Sequence, residues 1–317
     1  MSNIKKKILI LQGGNNEEHK VSLETGKQVK KALVKIGYRT QVLNVNPKTF
    51  VKDIKKYDFD ICFNALHGSF GEDGKVQKIL TNLKIPFTHS GITASDTAFN
   101  KVKTKKKLIK KNISYLTSKI ISKKNINKKE LMRYLAKYKS YVIKPIQSGS
   151  SYGVLIVKSL KEIDLILKKK KELYKKYNNL MIEPYIKGRE LTVSVIEKND
   201  KSRAVEVTEI LSNNNFFDYK AKYTKGFSKH VLPARLEKKV YNLCLDYAKT
   251  AHDVIGCSGI SRSDFIYDEK NKKLFFLEIN TQPGLTAISL LPEQLKYKGI
   301  DFINLINLLV KLAKCRK

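Results

Sequence analysis

With 317 residues and 42% hydrophobic content, the chain is long enough for two or three domains around an ordinary globular core. Its net charge of +34 would attract polyanions non-specifically, but the charge is nearly all dispersed lysine without interleaved aromatics, so no specific nucleic-acid partner is expected. No apolar run approaches the roughly 20 residues of a membrane span, and Cys62, Cys244, Cys257 and Cys315 lack metal-ligand spacing, which fits reduced thiols in a cytoplasmic protein.

Lys5 to Lys7 imitates a signal-peptide start, but the four apolar residues Ile8 to Leu11 are too few for its core and read instead as a first strand. A Gly/Asn turn, Gln12 to Asn16, leads to a helix near Ser22 to Ile36, with Glu18-His19-x-Val21-Ser22 at its mouth. By itself that segment is also ordinary helix-start polarity. Phe59 to Leu66 is apolar enough for a parallel strand, and His67-Gly68 with Gly71-Glu72-Asp73-Gly74 forms a glycine-rich loop before a helix at Lys75 to Leu83. His67 is there either a loop-packed histidine or a ligand-facing one. Alternating strands and helices over residues 1–98 predict a doubly wound α/β domain.

A lysine-rich helix, Ser95 to Lys111, opens a second region, and Lys101 in it is indistinguishable from other solvated lysines by residue type. After a helix at Lys128 to Tyr138, strand Tyr141 to Lys144 runs into the loop Gln147-Ser148-Gly149-Ser150-Ser151-Tyr152-Gly153 and returns as Val154 to Val157. Small side chains leave N–H groups able to bind phosphate, and Lys144 adds charge at the loop's root; a plain Ser/Gly hairpin fits as well. Leu180 to Ile186, the turn Lys187 to Arg189 and Glu190 read as strand, turn, strand, a shape suited to a hinge. The polar segment Asn213 to Ser228, with Phe216-Phe217-Asp218-Tyr219-Lys220-Ala221-Lys222-Tyr223, has the composition of a lid. A helix at Glu237 to Gly256 and an amphipathic one at Asp301 to Lys314 bracket the last strands.

Those strands, Gly259 to Tyr267 and Leu274 to Asn280, flank a polar turn and form a hairpin in which Arg262 and Asp264 share one face and Glu278 and Asn280 another common direction. Pairing outward from the turn sets Asp264 opposite or diagonal to Glu278. Two carboxylates, an amide oxygen and a guanidinium then form one patch, either a solvated polar face or a hard-oxygen site for magnesium held against phosphates. Pro283-Gly284 follows, a turn that brings N–H groups near a ligand.

Arg262-x-Asp264 with Glu278-Ile279-Asn280-Thr281-x-Pro283-Gly284-Leu285-Thr286 resembles the end of the ATP-grasp fold, specifically of the D-alanine–D-alanine ligases. The strings Glu18-His19-x-Val21-Ser22, Ala65-Leu66-His67-Gly68 through Gly74, and Lys144-Pro145 through Gly153 resemble that family in the same order, over nearly the whole chain. The resemblance implies a three-domain ATP-grasp architecture divided at residues 1–98, 99–187 and 188–317, and amide-bond formation between two D-alanines through an acyl phosphate, for peptidoglycan precursors. It implies Glu18 on the first ammonium, His67 beside a substrate carboxylate, and Ser289 with the Leu290 N–H on the second alanine's carboxylate. Lys101, Lys144, Ser151 and Lys222 would meet ATP phosphates, Glu183 and Ile186 the adenine, and Glu190 the ribose. Arg262 and the Gly284 N–H would receive the oxyanion, and Asp264, Glu278 and Asn280 would hold Mg2+ or Mn2+, two ions in all. Tyr223 would bond Ser150 and through it Glu18; a tyrosine there goes with D-alanine rather than D-lactate as second substrate. Lys20 and Asn100 stand where the family often has acidic residues. A homodimer, with no membrane association, is a further expectation.

Overall fold

A computed structural model describes residues 6–122, 125–177, 179–212 and 228–316. Three strands, β1 (Lys7–Gly13), β2 (Arg39–Val45) and β3 (Ile61–Asn64), pair in parallel in the order β2-β1-β3. Ile8 to Leu11 are wholly buried because β1 is central and both its faces are covered. Helix α1 (His19–Ile36) packs Val29 and Leu33 against that sheet and stops at Gly37, whose positive φ of 96° lets its N–H cap Leu33 and Val34. Short α2 (Phe50–Ile54) and α3 (Lys75–Asn82) cover the opposite face. The expected strand Phe59 to Leu66 shortens to β3, and β2 was missed because its sequence is largely polar, with only Leu43 and Val45 buried.

The single helix expected over Ser95 to Lys111 is two, α4 (Ile92–Phe99) and α5 (Lys101–Leu108), followed by one 3-10 turn. Asn100 breaks it: its backbone is extended and its side chain accepts from the N–H groups of Val102 and Lys103. Lys101 thereby becomes the first residue of a helix, with its own N–H bonded to Ile146 in the region of the predicted loop.

A second sheet contains β4 (Lys119–Ile121), β5 (Tyr141–Pro145), β6 (Leu155–Val157) and β7 (Leu180–Pro184) in the order β4-β7-β5-β6, all antiparallel. Helices α6 (Lys128–Tyr138) and α7 (Leu160–Lys176) back it through Leu131, Tyr134, Ile163 and Ile166. The third sheet, β8 (Arg189–Lys198), β9 (Lys201–Ser212), β10 (Ser228–Val231), β11 (Ile260–Asp268) and β12 (Lys273–Asn280), has the antiparallel order β10-β9-β8-β11-β12. Its apolar face packs on α8 (Lys238–Ile255), with Val193, Val207, Phe265 and Phe276 against Cys244 and Ala248. Helices α9 (Leu290–Tyr297) and α10 (Phe302–Lys311) close the chain, and α10 returns to the first sheet's core through Leu305, Ile306 and Leu309.

A bulge decides the geometry of the β11–β12 hairpin. Phe265 pairs with Phe276, but Asp264 pairs with Glu278, so Leu277 is the extra residue. Leu274 and Phe276 are buried, and so is Ile279, three positions on, a change of parity that a regular strand cannot make. The bulge thus turns Glu278 and Asn280 away from the core and sets Asp264 directly opposite Glu278.

Candidate active site

A cavity of about 430 Å³ lies between the second and third sheets. The β5–β7 register places Val142 opposite Glu183, so Val142, Lys144 and Glu183 share the face that looks into it. Lys101, Ser151, Ile186 and Glu190 also line it, so the cavity brings together six of the residues for which the resemblance implies contact with ATP. Glu183 is 2% exposed, and its two oxygens are held separately, Oε2 by the Lys144 ammonium at 2.5 Å and Oε1 by that of Lys105. Burial pushes the Glu183 pKa up, but the adjacent Lys144 and Lys105 ammoniums outweigh it and hold the carboxyl below its usual range.

A smaller cavity of about 80 Å³ adjoins it, lined by Glu18, His67, Ser150, Arg262, Asn280, Gly284, Ser289 and Leu290 among others. These residues come from five separated stretches of chain. Ser150 donates to Glu18 Oε1, tying the glycine-rich loop to the start of α1. A Cβ at Gly149 would lie 2.5 Å from Glu18 Oε2, so any side chain there must displace the Glu18 carboxylate. His67 is buried and fixed at both ring nitrogens, by Glu72 Oε1 at 3.0 Å and Thr25 Oγ1 at 2.9 Å. Ser289 Oγ accepts from the Thr286 N–H at 3.0 Å, and a Cβ on Gly284 would meet that oxygen at 2.8 Å.

Lys101, Ser148 and Glu278 line both cavities. Lys101 Nζ is 3.1 Å from Glu278 Oε2 and donates to the Ser148 carbonyl at 2.9 Å. Next to them Arg262 bonds Asp264 through two parallel contacts of 2.8 and 2.7 Å, and Thr192 donates to Asp264 Oδ1 at 2.6 Å. Asn280 Oδ1 accepts from the Gln282 N–H at 2.7 Å. Asp264, Glu278 and Asn280 therefore supply hard oxygens from one sheet surface, with Arg262 and Lys101 balancing the carboxylates; this donor set suits a divalent cation. Among the described residues no group of three His, Cys, Asp or Glu side chains has metal-binding geometry, so a cation here also depends on the amide oxygen and on ligand oxygens.

Lys222 and Tyr223 lie outside the described residues. Several contributors were not anticipated. Lys105 is buried on α5 and was hidden among lysines of the same helix. Buried Gln282 accepts from Asn64 Nδ2 at 2.8 Å and donates to the Leu66 carbonyl, linking the loop before Gly284 to that before His67. His230 lines the smaller cavity and bonds Glu293 at 2.7 Å. The Asn64-to-Gln282 contact joins residues 218 positions apart, which no local pattern reveals.

Two antiparallel sheets closing on a nucleotide-sized cavity, with a glycine-rich loop and a carboxylate-bearing hairpin at its inner end, define an ATP-grasp fold. The sequence matches the families described as D-ala D-ala ligase N-terminus over residues 40–90 and D-ala D-ala ligase C-terminus over residues 108–311. It is 43% identical to a D-alanine–D-alanine ligase of Pelagibacter ubique, covering 98% of this chain and 99% of the relative. It is 40% identical to that of Zymomonas mobilis, covering 98% and 94%. A Bacillus anthracis D-alanine–D-alanine ligase solved in complex with ATP superposes with a TM-score of 0.80 at 28% identity, covering 97% of this chain and 96% of the other. The chain belongs to the D-alanine–D-alanine ligase family.

Proposed function

We propose that this protein joins two D-alanine molecules to D-alanyl-D-alanine with hydrolysis of ATP to ADP and phosphate, supplying a peptidoglycan precursor from the cytoplasm. The observation that carries the reading is the wall common to both cavities: Lys101 and Glu278 face a space large enough for a nucleotide on one side and a polar amino-acid-sized space on the other. A γ-phosphoryl placed at that wall is within reach of a carboxylate in the smaller cavity. The carboxylate oxygen attacks phosphorus and ADP leaves, giving an acyl phosphate; the second amine then attacks the carbonyl and phosphate leaves.

In this reading Lys101, Lys144 and Lys222 neutralise the phosphates, Ser151 cradles them, Ile186 and Glu183 face the base, and Glu190 the ribose. Glu18, oriented by Ser150, takes the first ammonium, and His67 lies beside a substrate carboxylate. Arg262 and the Gly284 N–H meet the oxyanion of the tetrahedral intermediate, the planar guanidinium being fixed by its paired bonds to Asp264. Ser289 and the Leu290 N–H, at the start of α9, receive the second carboxylate. Asp264, Glu278 and Asn280 would hold Mg2+ or Mn2+, two ions in all, which would supply charge neutralisation at the transferred phosphoryl. Tyr223, which lies outside the described residues, would bond Ser150 and through it Glu18. The division at residues 98 and 187, a homodimer and absence from membranes belong to the same proposal; no described helix is long and apolar enough to cross a bilayer. D-Lactate as second substrate is not favoured, since full-length relatives near 40% identity bear the name D-alanine–D-alanine ligase.

Phosphate release from ATP and magnesium is to be measured with no amino acid, with D-alanine, and with D-alanine plus D-lactate. Release that depends on D-alanine and matches dipeptide formed is expected; no turnover with D-alanine would defeat the proposal.

A further inference from the structure

Lys105 is a buried charge that the mechanism above does not use. It lies one turn beyond Lys101 on α5, 6% exposed, with Nζ on Glu183 Oε1, on the Leu116 carbonyl at 2.8 Å and 5.6 Å from the Tyr115 ring centroid. Glu183 and Lys144 line the larger cavity; Lys105 stands behind them and does not. A ligand can therefore meet the first two but not the third. The cavity is flanked near Glu183 by apolar Leu116, Val142, Ile186 and Leu277, walls for a flat ring, whereas Lys101, Ser148 and Ser151 suit the phosphates.

A triphosphate entering this cavity competes with Glu183 for the Lys144 ammonium, since both are anions and Lys144 is on the wall they share. Were Lys105 absent, the buried carboxylate losing Lys144 would have to be paired again or take up a proton. The protonation state decides what the carboxyl can recognise. Ionised, it only accepts, and so selects a ring bearing an amino group; protonated, it can donate, and favours a ring carbonyl.

We infer that Lys105 is a positioning residue for nucleotide selectivity: it stays on Glu183 when Lys144 turns to the triphosphate, keeping the carboxylate an oriented acceptor that selects a 6-amino over a 6-oxo purine. The inference rests on the nucleotide reading of the larger cavity. Its three bonding partners, a carboxylate, a carbonyl and an aromatic face, hold Lys105 from more sides than the ion pair to Glu183 holds Lys144 among the described residues.

The test compares binding of ATP and inosine triphosphate, which differ in the amino group at position 6, by calorimetry with magnesium for the parent, Lys105→Arg, Lys105→Met and the double variant Lys105→Met/Glu183→Gln. The parent is expected to prefer ATP. Lys105→Met should lose about 10- to 100-fold in ATP affinity, the equivalent of one charge-assisted hydrogen bond, with inosine triphosphate changed less than about threefold. Lys105→Arg should keep the parent's preference. The double variant removes the unpaired buried charge, so it should recover the parent's melting temperature without recovering its preference, which keeps the test valid if Lys105→Met alone does not fold. An ATP preference unchanged in Lys105→Met, or in the double variant where the single one is unfolded, would overturn the inference, and Lys105 would serve stability alone. A parent that binds neither nucleotide overturns instead the nucleotide reading on which the inference rests.

Discussion

The two cavities that meet at Lys101 hold their charges in opposite ways. In the larger one, a carboxylate is sealed between two ammoniums, so its charge is fixed by ion pairs with almost no water. In the smaller one, Glu18 is steadied by the Ser150 hydroxyl, and Arg262 remains partly exposed, with 15% of its side chain accessible, while its partner Asp264 faces the larger cavity. The first arrangement suits a ligand bound by shape and a few fixed polar contacts; the second leaves charged groups close to reacting atoms. What separates them is a wall of Lys101, Ser148 and Glu278, whose charges are the Lys101–Glu278 pair.

The sharpest way to break that division is Glu278→Gln, which removes the charge common to both sides. Phosphoryl transfer is expected to fall roughly 100- to 1,000-fold with the fold retained, because a charge placed for the transition state is lost. Rapid-quench measurement of ADP formation at limiting magnesium checks it; a folded variant working at the parent rate would dissolve the common wall. Gly149→Ala perturbs the smaller cavity alone. Its new Cβ collides with Glu18, and the KM for the first D-alanine should rise about tenfold or more while the KM for ATP stays near the parent's, since small misplacements near reacting groups are costly.

Acid stability separates the cavities from the scaffold behind them. Burial pushes His252 on α8 down to about 4 and His89 down to about 3, so both are neutral when folded. Between their ordinary 6.5 and about 4, the unfolded chain binds protons at these sites that the folded chain does not, so stability falls as pH falls through that window. The limiting slope is about 1.4 kcal/mol per pH unit for each histidine. Glu183, held low by Lys144 and Lys105 against burial, adds its loss only as the pH drops below the ordinary 4.5. His252→Gln should flatten the dependence of the urea midpoint on pH between 6.5 and 5; an unchanged slope would move the acid sensitivity elsewhere. The smallest effect is expected at Lys176, which pairs with Glu17 and is 5.6 Å from the Tyr152 ring centroid at the outer edge of the glycine-rich loop. Lys176→Ala should change kcat/KM for ATP less than about fivefold, because exposed pairs contribute about 0–1 kcal/mol.

The larger features of this site were legible because they are local. The glycine-rich loop, the His67 turn and the β11–β12 hairpin each declare themselves within about twenty residues, where alternation and turn chemistry dominate. The finer geometry was not. Leu277 looks like one more apolar strand residue, yet as the bulge it decides that Asp264 faces Glu278. Asn100 reads as a departure from an acidic position, and only its extended backbone shows that it starts a new helix and so places Lys101. A bulge between Val193 and Val195 is similarly invisible: the Ser194 N–H finds Gln294 Oε1 at 2.8 Å, a partner 100 residues away. Lys105 has the same side chain as its solvated neighbours, and burial alone distinguishes it.

The most direct test of two cavities sharing one reaction is to follow oxygen. D-Alanine labelled with oxygen-18 in its carboxylate is supplied with ATP and magnesium, and the released phosphate is examined by mass spectrometry. Attack of the first carboxylate on the γ-phosphoryl, followed by displacement at carbon, predicts one labelled oxygen in each phosphate released with dipeptide. Unlabelled phosphate accompanying dipeptide formation would contradict the acyl-phosphate route and the assignment of the Lys101–Glu278 wall as the place where the nucleotide and the amino acid meet.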